Sequence, residues 1–412
     1  MNRYQLIAIS VALGFSSSVS AVDLGHGLSF KAFGTVGAAY SDNDEADYIT
    51  STHAQPVGAG RSDDISYKVD TKVGAQLDWQ ATEQISLTTQ LLSKQFEDKT
   101  WTPRVEAAYV KYQATPELGV RGGRIRPSVY MLSDFLDVNY ANAWVRPPVE
   151  HYGVMPFTYM DGVDFLWRPQ TGDVTWLIQP YLGTVKVDTA VDTAIDNDIA
   201  GIGATASQGD WSLRLGYMRD QFQFTGGPID QMLMGLNGLC AVDPVACELA
   251  RDLDSDDATS DYISLGASWD NGDYFVSGEY AKVLFDVDFV PEMSSYYLSG
   301  GARFDSWTPY LTYSQFKIDS SATYSGSDNA ITNAMITGMR NSNMQGQHTL
   351  SMGVRYDFMP NLALKAQWDH VTTDCNDGQA GTCGGMFAQK SDGFTDESQD
   401  IDVVSLSLDF VF

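Results

Sequence analysis

The chain has 412 residues, with 25 Lys and Arg against 53 Asp and Glu, and a formal net charge of −28 at pH 7. This acidic excess argues against binding nucleic acid, or an anionic membrane surface, through a basic patch. After the amino-terminal stretch, no segment reaches the roughly 20 uninterrupted apolar residues that a spanning helix needs, so any membrane insertion has to be by strands.

The chain begins with the three parts of a secretory signal peptide. Arg3 supplies the positive charge, an apolar run extends over residues 6–15, and small residues end at Ala21. We therefore predict a signal peptide at residues 1–21. Because no linker rich in Pro, Ser or Gly divides the remainder, residues 22–412 are predicted to form a single domain.

Apolar and polar residues alternate along most of the mature chain. From Ile65 to Trp79 the odd positions are mostly apolar and the even positions are polar or Gly, and the chain ends in the same way from Val404 to Phe412. Strands of a soluble sandwich also alternate, but they seldom run for fifteen residues, whereas about ten tilted residues cross a bilayer. The pattern therefore favours an all-β, transmembrane, antiparallel up-and-down barrel with one face in lipid.

Sixteen strands are predicted from this period of two. Their approximate ranges are 28–40, 63–80, 84–97, 103–113, 118–126, 160–169, 174–186, 196–206, 211–224, 260–270, 274–286, 293–304, 307–319, 347–358, 361–373 and 401–412. An even number places both termini on the same side of the membrane. Sixteen strands also enclose an aqueous lumen, whereas the interior of eight is filled by side chains.

The predicted connections alternate between short and long, as periplasmic turns and external loops do. The long ones cover residues 41–62, 127–159, 225–259, 320–346 and 374–400. Six of the nine Trp residues lie close to a predicted short turn, which indicates an aromatic girdle at the periplasmic interface. These six are Trp79, Trp167, Trp176, Trp211, Trp269 and Trp307.

The leader, the sixteen alternating strands, the terminal Phe412 and the long insertion after the fifth strand together resemble the general porins of the Gram-negative outer membrane. The resemblance covers essentially the whole mature chain. It implies that the third long loop, here residues 127–159, folds into the lumen and narrows it. It also implies a multi-pass protein of the outer membrane, in contact with lipid and lipopolysaccharide, that associates as a homotrimer. The small residues on one face of strand one, from Ala32 to Ala38, modestly support the trimer, although they are also compatible with a role in strand curvature alone.

The narrowest section of such a channel is predicted from side-chain parity, because charge on the lipid face costs about 2–4 kcal/mol at the bilayer midplane. Parity places Arg124 and Arg126 inside and leaves Arg121 to snorkel at the rim. The same rule predicts a basic inner wall opposed by acids of the inserted loop and of strand six, and this resembles the transverse field of the general porins. The predicted constriction residues are Lys68, Lys72, Lys94, Arg104, Glu106, Arg124, Arg126, Asp134, Asp137, Glu150 and Asp164. Arg124 and Arg126 are also compatible with structural salt bridges that support the loop.

The four cysteines fall two each into two external loops. We predict the disulfides Cys240–Cys247 and Cys375–Cys383, because export passes through an oxidising compartment. Zinc binding is the alternative, but no His accompanies either pair and the spacing is not Cys-x2-Cys. The acidic loops 225–259 and 374–400 are interpreted as solvated loops, with bridging divalent cations as the alternative, and no other cofactor is expected.

The sequence thus predicts a porin for passive diffusion of ions and small hydrophilic solutes. A substrate-selective outer-membrane channel is the first alternative, and a barrel-anchored adhesin or enzyme is the second. Catalysis is not expected from Asp369 and His370, which combine a His with an adjacent carboxylate, because neighbouring residues of a strand face opposite sides.

Overall fold

The computed structural model describes residues 22–189, 194–254, 258–286, 290–319, 326–342, 345–375, 383–391 and 393–412. The predicted signal peptide, residues 1–21, lies outside these ranges. The statements below on architecture refer to the described residues.

Sixteen antiparallel strands build the wall of a closed barrel. In chain order they are β1 (Leu28–Ser41), β2 (Lys72–Gln80), β3 (Ile85–Lys94), β4 (Arg104–Gln113), β5 (Leu118–Ile125), β6 (Met160–Trp167), β7 (Val174–Asp188), β8 (Ala194–Gln208), β9 (Trp211–Thr225), β10 (Ala258–Asp270), β11 (Tyr274–Phe285), β12 (Met293–Ala302), β13 (Trp307–Ile318), β14 (Gln347–Met359), β15 (Leu362–Thr373) and β16 (Asp400–Val411). The predicted fold class and strand number are confirmed, and most predicted boundaries agree within a few residues.

The barrel closes between its first and last strands. β1 pairs with β2 on one side and with β16 on the other, from Phe33 opposite Val411 to Ser41 opposite Val403. The terminal Phe412 continues the seam, because its backbone exchanges hydrogen bonds of 2.7 and 2.8 Å with Ala32. The closed sheet therefore leaves no free edge, as spanning hydrocarbon requires.

The two faces of each strand differ in polarity. On β9 the outer side chains Trp211, Leu213 and Leu215 are more than half exposed, whereas the inner side chains Ser212 and Arg214 are buried inside the barrel. An apolar exterior around a polar interior is the arrangement of a barrel immersed in lipid. Among the described residues no helix is long and apolar enough to cross a membrane.

Short turns collect at one end of the barrel, here called the turn end, and long connections at the other, here called the loop end. Four of the predicted girdle residues, Trp79, Trp167, Trp211 and Trp307, point outward beside the turns with exposures of 44%, 46%, 57% and 50%. Trp307 also stacks on Tyr356 of the neighbouring strand, with ring centroids 4.2 Å apart.

The long connections contain the helices and the remaining short elements. The helices are α1 (Val149–Tyr152), α2 (Gly227–Leu239), α3 (Pro244–Leu253) and α4 (Ala330–Ser342), with 3-10 turns at Ser133–Phe135 and Asn139–Ala141. Short strands cover Val22–Gly25, Asp47–Tyr48, Ala59–Gly60, Ile65–Ser66, Gln170–Thr171 and Phe387–Ala388.

The helix α3 illustrates how local sequence fixes a loop element. Pro244 occupies the first turn, and the Asp243 side chain caps the helix by accepting a hydrogen bond from the Val245 amide at 3.1 Å. Cys240 is bonded to Cys247, and Cys375 to Cys383, which are the two pairs expected from the sequence.

One predicted strand is partly wrong. Residues 67–71 leave the barrel ladder, so the predicted strand 63–80 becomes the two-residue strand Ile65–Ser66 followed by β2. Val69 is 6% exposed in an apolar cluster with Tyr48, Phe387 and other residues of the external loops. The alternation of apolar and polar residues continues through residues 67–71 although they leave the ladder, because an apolar loop cluster, rather than lipid, covers Val69.

A buried ion pair near the seam provides a test of the closed barrel. The Lys365 ammonium lies 2.6 Å from the Asp409 carboxylate, and both side chains are fully buried. We expect Lys365→Met to lower the free energy of unfolding by about 3–5 kcal/mol, because it leaves a buried carboxylate without its cation. Denaturant unfolding of the protein refolded in lipid vesicles measures this.

The matched control is Lys186→Met, since Lys186 is 72% exposed and pairs with Asp196 at 3.1 Å. An exposed pair of this kind contributes up to about 1 kcal/mol. Equal losses for the two variants would contradict the placement of Lys365 and Asp409 inside the barrel.

Candidate functional site: the lumen loop and its wall

Residues 127–159, here called the lumen loop, connect β5 to β6 and fold into the barrel. Their first residues lie directly on the inner wall. Arg214 of β9 donates to the Ser128 carbonyl oxygen at 2.6 Å, and Ser264 of β10 donates to the Val129 carbonyl oxygen at 3.1 Å. The Met131 amide donates to the Glu279 carboxylate of β11 at 2.8 Å. The expectation of a third loop folded into the lumen is confirmed.

Three inner-wall glycines allow this close approach. A Cβ atom at Gly203 would lie 3.0 Å from the Ser128 carbonyl oxygen, and one at Gly216 would lie 3.1 Å from the Val129 carbonyl oxygen. At Gly266 it would lie 2.6 Å from the Met131 sulfur atom. These are tighter than ordinary contacts, so the wall under residues 128–131 accepts the loop because side chains are absent there.

The loop acid Asp137 lies against three bases of the wall. Its carboxylate oxygens are 2.6 Å from Arg126, 3.4 Å from Lys94 and 3.6 Å from Lys72. Glu106 lies 3.5 Å from Arg126 and accepts a hydrogen bond from Thr158 at 2.8 Å. The structure therefore brings five of the predicted constriction residues into one cluster, here called the Asp137 cluster.

Burial opposes ionisation of Asp137, but the charges of Lys94, Arg126 and Lys72 outweigh it and hold the pKa of this carboxyl well below its usual range. The cluster contains three cationic side chains and two carboxylates. It thus leaves a net positive charge on the β2 to β5 side of the lumen.

The prediction that Arg124 faces the lumen is wrong. Arg124 points outward, where it makes a two-pronged ion pair with Asp161 at 2.8 and 2.9 Å and stacks on Tyr159 at 4.0 Å. The apolar Ile125 instead faces inward and is fully buried, because apolar side chains of the lumen loop cover the inner wall at that point. The assignment from side-chain polarity alone is therefore reversed for Arg124 and Ile125.

Arg121 is wrongly predicted to lie at the rim. It faces inward and binds Asp164 of β6, with its Nε atom 2.9 Å from one carboxylate oxygen. Gln179 donates to the same carboxylate at 2.7 Å. Asp164 therefore lies inside the barrel, as its parity predicts, but its partner is Arg121 rather than the basic residues of the Asp137 cluster.

Two further predicted bases pair near the loop end rather than with the lumen loop. Lys68 binds Asp63 at 2.7 Å, and both side chains are more than 40% exposed. Arg104 binds Glu97 at 2.8 Å and Asp98 at 3.1 Å. Both bases find acids close by in sequence, so they do not join the Asp137 cluster.

The two remaining loop acids lie apart from that cluster. Glu150 is buried and accepts hydrogen bonds from Ser314 at 2.6 Å, from Gln347 at 2.6 Å and from Thr349, on the opposite β13 to β14 wall. Asp134 lines a small cavity between the lumen loop and β7 to β9. The predicted acids therefore do not form one row facing one basic wall.

The most extensive anchor of the loop, Arg146, was missed by the sequence reasoning. Its guanidinium binds Asp70 at 2.6 Å and Asp369 at 2.8 Å, and it is 4% exposed. In the sequence, the alternation of the strands places the Asp70 and Asp369 side chains on the inner face. Two acids on the inner wall are the one sequence signal that indicates a nearby cation.

Two wall bases hold the backbone of the same loop segment. Lys365 donates to the carbonyl oxygens of Asn139 and Trp144 at 2.8 and 2.7 Å. Arg355 donates to the carbonyl oxygens of Tyr140 and Asn142. Nothing in the sequence pattern identifies backbone acceptors of this kind.

On the β11 to β12 side, Glu279 binds groups from both ends of the loop, because it also accepts the hydrogen bond from the Met131 amide described above. Tyr152 donates to its carboxylate, His151 lies 3.7 Å away, and Tyr297 of β12 donates at 3.1 Å. Together with the contacts above, the loop binds wall strands around nearly the whole circumference. The loop therefore crowds the lumen at this level.

Comparison with known proteins agrees with this fold. No protein-family model matches the chain. No curated protein matches it either. Among solved structures, the chain is similar to an anion-selective porin from Comamonas acidovorans, with 14% identity, a TM-score of 0.54, and coverage of 93% of this chain and 100% of that one.

Two other solved structures are similar to the same extent. One is OmpT, an outer membrane protein of Vibrio cholerae, in its trimer form, with 11% identity, a TM-score of 0.53, and coverage of 93% and 99%. The other is the outer membrane channel DcaP of Acinetobacter baumannii, with 12% identity, a TM-score of 0.52, and coverage of 97% and 99%.

The closed barrel, its apolar exterior and its inserted loop define the class as a membrane-spanning β-barrel of the outer-membrane type. At these identities the likeness establishes the fold. The chain has the sixteen-stranded porin fold.

The lowered pKa of Asp137 gives a pH-dependent prediction. Because the pKa in the folded state lies below the unfolded value, the stability that Asp137 contributes is present above the unfolded value and is lost as the pH falls through the folded one. We expect Asp137→Asn to cost about 3–5 kcal/mol of unfolding free energy at neutral pH, and this difference from wild type to shrink only below about pH 4.

Unfolding in denaturant across a pH series measures this difference. Asp134→Asn, on the same loop, serves as the control and should cost much less, because Asp134 lines a cavity rather than the Asp137 cluster. A difference for Asp137→Asn that instead grew as the pH was lowered would contradict the assignment.

Proposed function

We propose that this protein is an outer-membrane channel for passive diffusion of ions and small hydrophilic solutes, with the lumen loop as its constriction. The observation that carries the proposal is a polar, charge-bearing inner wall around a loop that is held by hydrogen bonds on all sides. A barrel that served only as an anchor would gain nothing from a charged inner wall, whereas a diffusion channel uses its field and width to select solutes.

The field across the proposed passage is transverse. The Asp137 cluster carries net positive charge on the β2 to β5 side, whereas Glu150 and Glu279 face the β11 to β14 side with polar neighbours rather than Lys or Arg ion pairs. Such a field orients dipolar solutes and makes apolar ones costly to pass. It is similar in kind to the transverse field expected from the sequence, although its acids lie elsewhere.

We expect the passage to be narrow, because the lumen loop binds the wall on several sides and leaves only small cavities against β13 to β15 and against β7 to β9. Such a constriction favours small ions and solutes of a few heavy atoms. We therefore expect a small single-channel conductance.

A substrate-selective channel is the second candidate. The cavity against β13 to β15 is lined by Trp144, Arg146, Glu150, Thr312 and Asp369 among others, which combines an aromatic ring with fixed polar groups. Saturating block of the conductance by one solute would favour this candidate over a general pore.

We propose a homotrimer as the assembled form. The outer face of β1 presents Ala32, Gly34, Val36 and Ala38, which would let a neighbouring barrel approach closely. One solved structure of similar fold is described as a trimer form. Lipid and lipopolysaccharide would contact the rest of the apolar exterior.

No catalytic activity and no cofactor are part of the proposal. Asp369 binds Arg146 inside the barrel, whereas His370 binds Asp402 on the outer face at 2.8 Å, so these two neighbours do not form a catalytic pair. Divalent cations at the acidic external loops stay a prediction. The described residues contain no group of three or more His, Cys, Asp or Glu in an arrangement that could hold a metal.

Single-channel conductance and reversal potential in a salt gradient test the proposal in planar bilayers. We expect Lys94→Gln to shift ion preference toward cations by a factor of about two to five. A unit charge a few ångströms from a passing ion is worth up to about 1 kcal/mol in a watery lumen. Lys94 is suitable because it is 25% exposed to the lumen and Asp137 keeps Arg126 as a partner.

The matched control is Arg124→Gln, which removes a positive charge from the outer face and should leave ion preference unchanged. Equal shifts for both variants would contradict the assignment of the two faces. The absence of stepwise conductance from wild type would remove the channel proposal and favour an anchored adhesin or enzyme.

A further inference from the structure

One carboxylate inside the barrel differs from the others. Asp220 lies on the inner face of β9, six positions toward the loop end from Arg214, and is 8% exposed. Its neighbours on the same face, Met218 and Phe222, are 2% and 3% exposed. Asp220 therefore carries its carboxyl group into a largely apolar part of the external half of the lumen.

The hydrogen bonds available to Asp220 leave an acceptor unused. Ser260, directly opposite on β10, donates to Oδ2 at 3.3 Å. Within the described chain, Oδ1 has no hydrogen-bond partner. Asn197 lies diagonally across on β8 and is 5% exposed, and its side-chain amide oxygen Oδ1 also has no hydrogen-bond partner there. Two buried acceptor oxygens on neighbouring strands thus lack donors.

The other buried inner-wall carboxylates of the strands either pair with a base or have several donors, as Glu279 has in Tyr152, Tyr297 and the Met131 amide. Asp164 binds Arg121, Asp369 binds Arg146 and Asp409 binds Lys365. The base next to Asp220 in sequence, Arg219, points outward and binds Asp261 at 2.6 Å. Arg214 is about 20 Å along the strand, at 3.3–3.4 Å per residue, and is bonded to the lumen loop.

A buried carboxylate with neither a cation nor a full set of donors is strongly unfavourable, so this position calls for a bound positive group. We infer that Asp220, Asn197 and Ser260 form a binding site for a monovalent cation, either an alkali metal ion or the primary ammonium group of a solute. The class follows from the ligands. One carboxylate and neutral oxygens supply a single negative charge, which is too little for a divalent ion.

The site extends the proposed function, because it would hold cations in the external half of the channel before they reach the lumen loop. It does not require that ions cross the barrel. Its occupancy is therefore best measured on the folded protein at equilibrium, separately from conduction.

The experiment compares thermal unfolding of the protein, refolded in lipid vesicles, in 100 mM chloride salts of different cations at equal ionic strength. Potassium tests the alkali-metal source, ethylammonium tests the amine source, and tetrabutylammonium is too large for the site. A cation bound with a dissociation constant of about 10 mM raises the folding equilibrium constant about elevenfold at this concentration. Wild type should therefore melt at a higher temperature in potassium, in ethylammonium or in both than in tetrabutylammonium.

Asp220→Asn keeps the shape and removes the charge, so it should abolish the difference between salts. The control is Asp198→Asn, because Asp198 directly follows Asn197 on β8 but is exposed on the outer face. It should keep the wild-type response. Identical melting of wild type and Asp220→Asn in all salts would overturn the inference and indicate that the carboxyl group is protonated.

The outcome is independent of the channel proposal. If bilayers containing wild type show no conductance while the response to cations survives and depends on Asp220, the site stands and the channel proposal fails. If conductance is present while the response to cations is unaffected by Asp220→Asn, the channel proposal stands and the site fails.

Discussion

The structure depends on the requirement that every backbone amide and carbonyl in hydrocarbon be bonded within the protein. A sheet meets this requirement only when its first and last strands pair, and here they do so through β1 and β16 and the terminal Phe412. Closure also separates the two faces of every strand. The outer face must be apolar, and the polar side chains of the inner face must find hydrogen-bond and ion-pair partners inside the barrel.

The lumen loop supplies partners for many polar side chains of the inner face. Wall donors such as Lys365 and Arg355 satisfy its carbonyl oxygens, and its own Asp137 and Arg146 neutralise charges of the wall. Without its counterpart, each of these groups would be buried and unpaired. The resulting cost in free energy is larger than the free energy that a surface contact contributes. Loop and wall are thus mutually required, and the proposed passage is bounded by both.

The sequence predicts the architecture well because the period of two is imposed by lipid along most of each strand. Strand number and the cysteine pairs follow from local patterns, whereas the inserted loop is implied by the resemblance to the general porins. Parity also placed Lys72, Lys94 and Glu106 on the correct face, where neighbours in the ladder are polar.

The same rule fails where lipid no longer determines polarity. At the loop end of β5 the outer face carries Arg124 with Asp161, and the inner Ile125 meets the apolar side of the lumen loop. Partners of the loop also depend on how 33 residues fold inside the barrel, and tertiary contacts rather than any local period decide this. Arg146 and its two acids are therefore visible only in three dimensions.

The glycines under the start of the lumen loop have a wider consequence. Because Gly203, Gly216 and Gly266 form a bare strip on which the loop backbone lies, the distance between loop and wall is set by the sheet rather than by the loop's own sequence. Adding side-chain volume to that strip would lift the loop toward the opposite wall. Barrels with a lumen of different width are therefore accessible from this scaffold by changing the size of a few wall residues, with strand number and loop length left as they are.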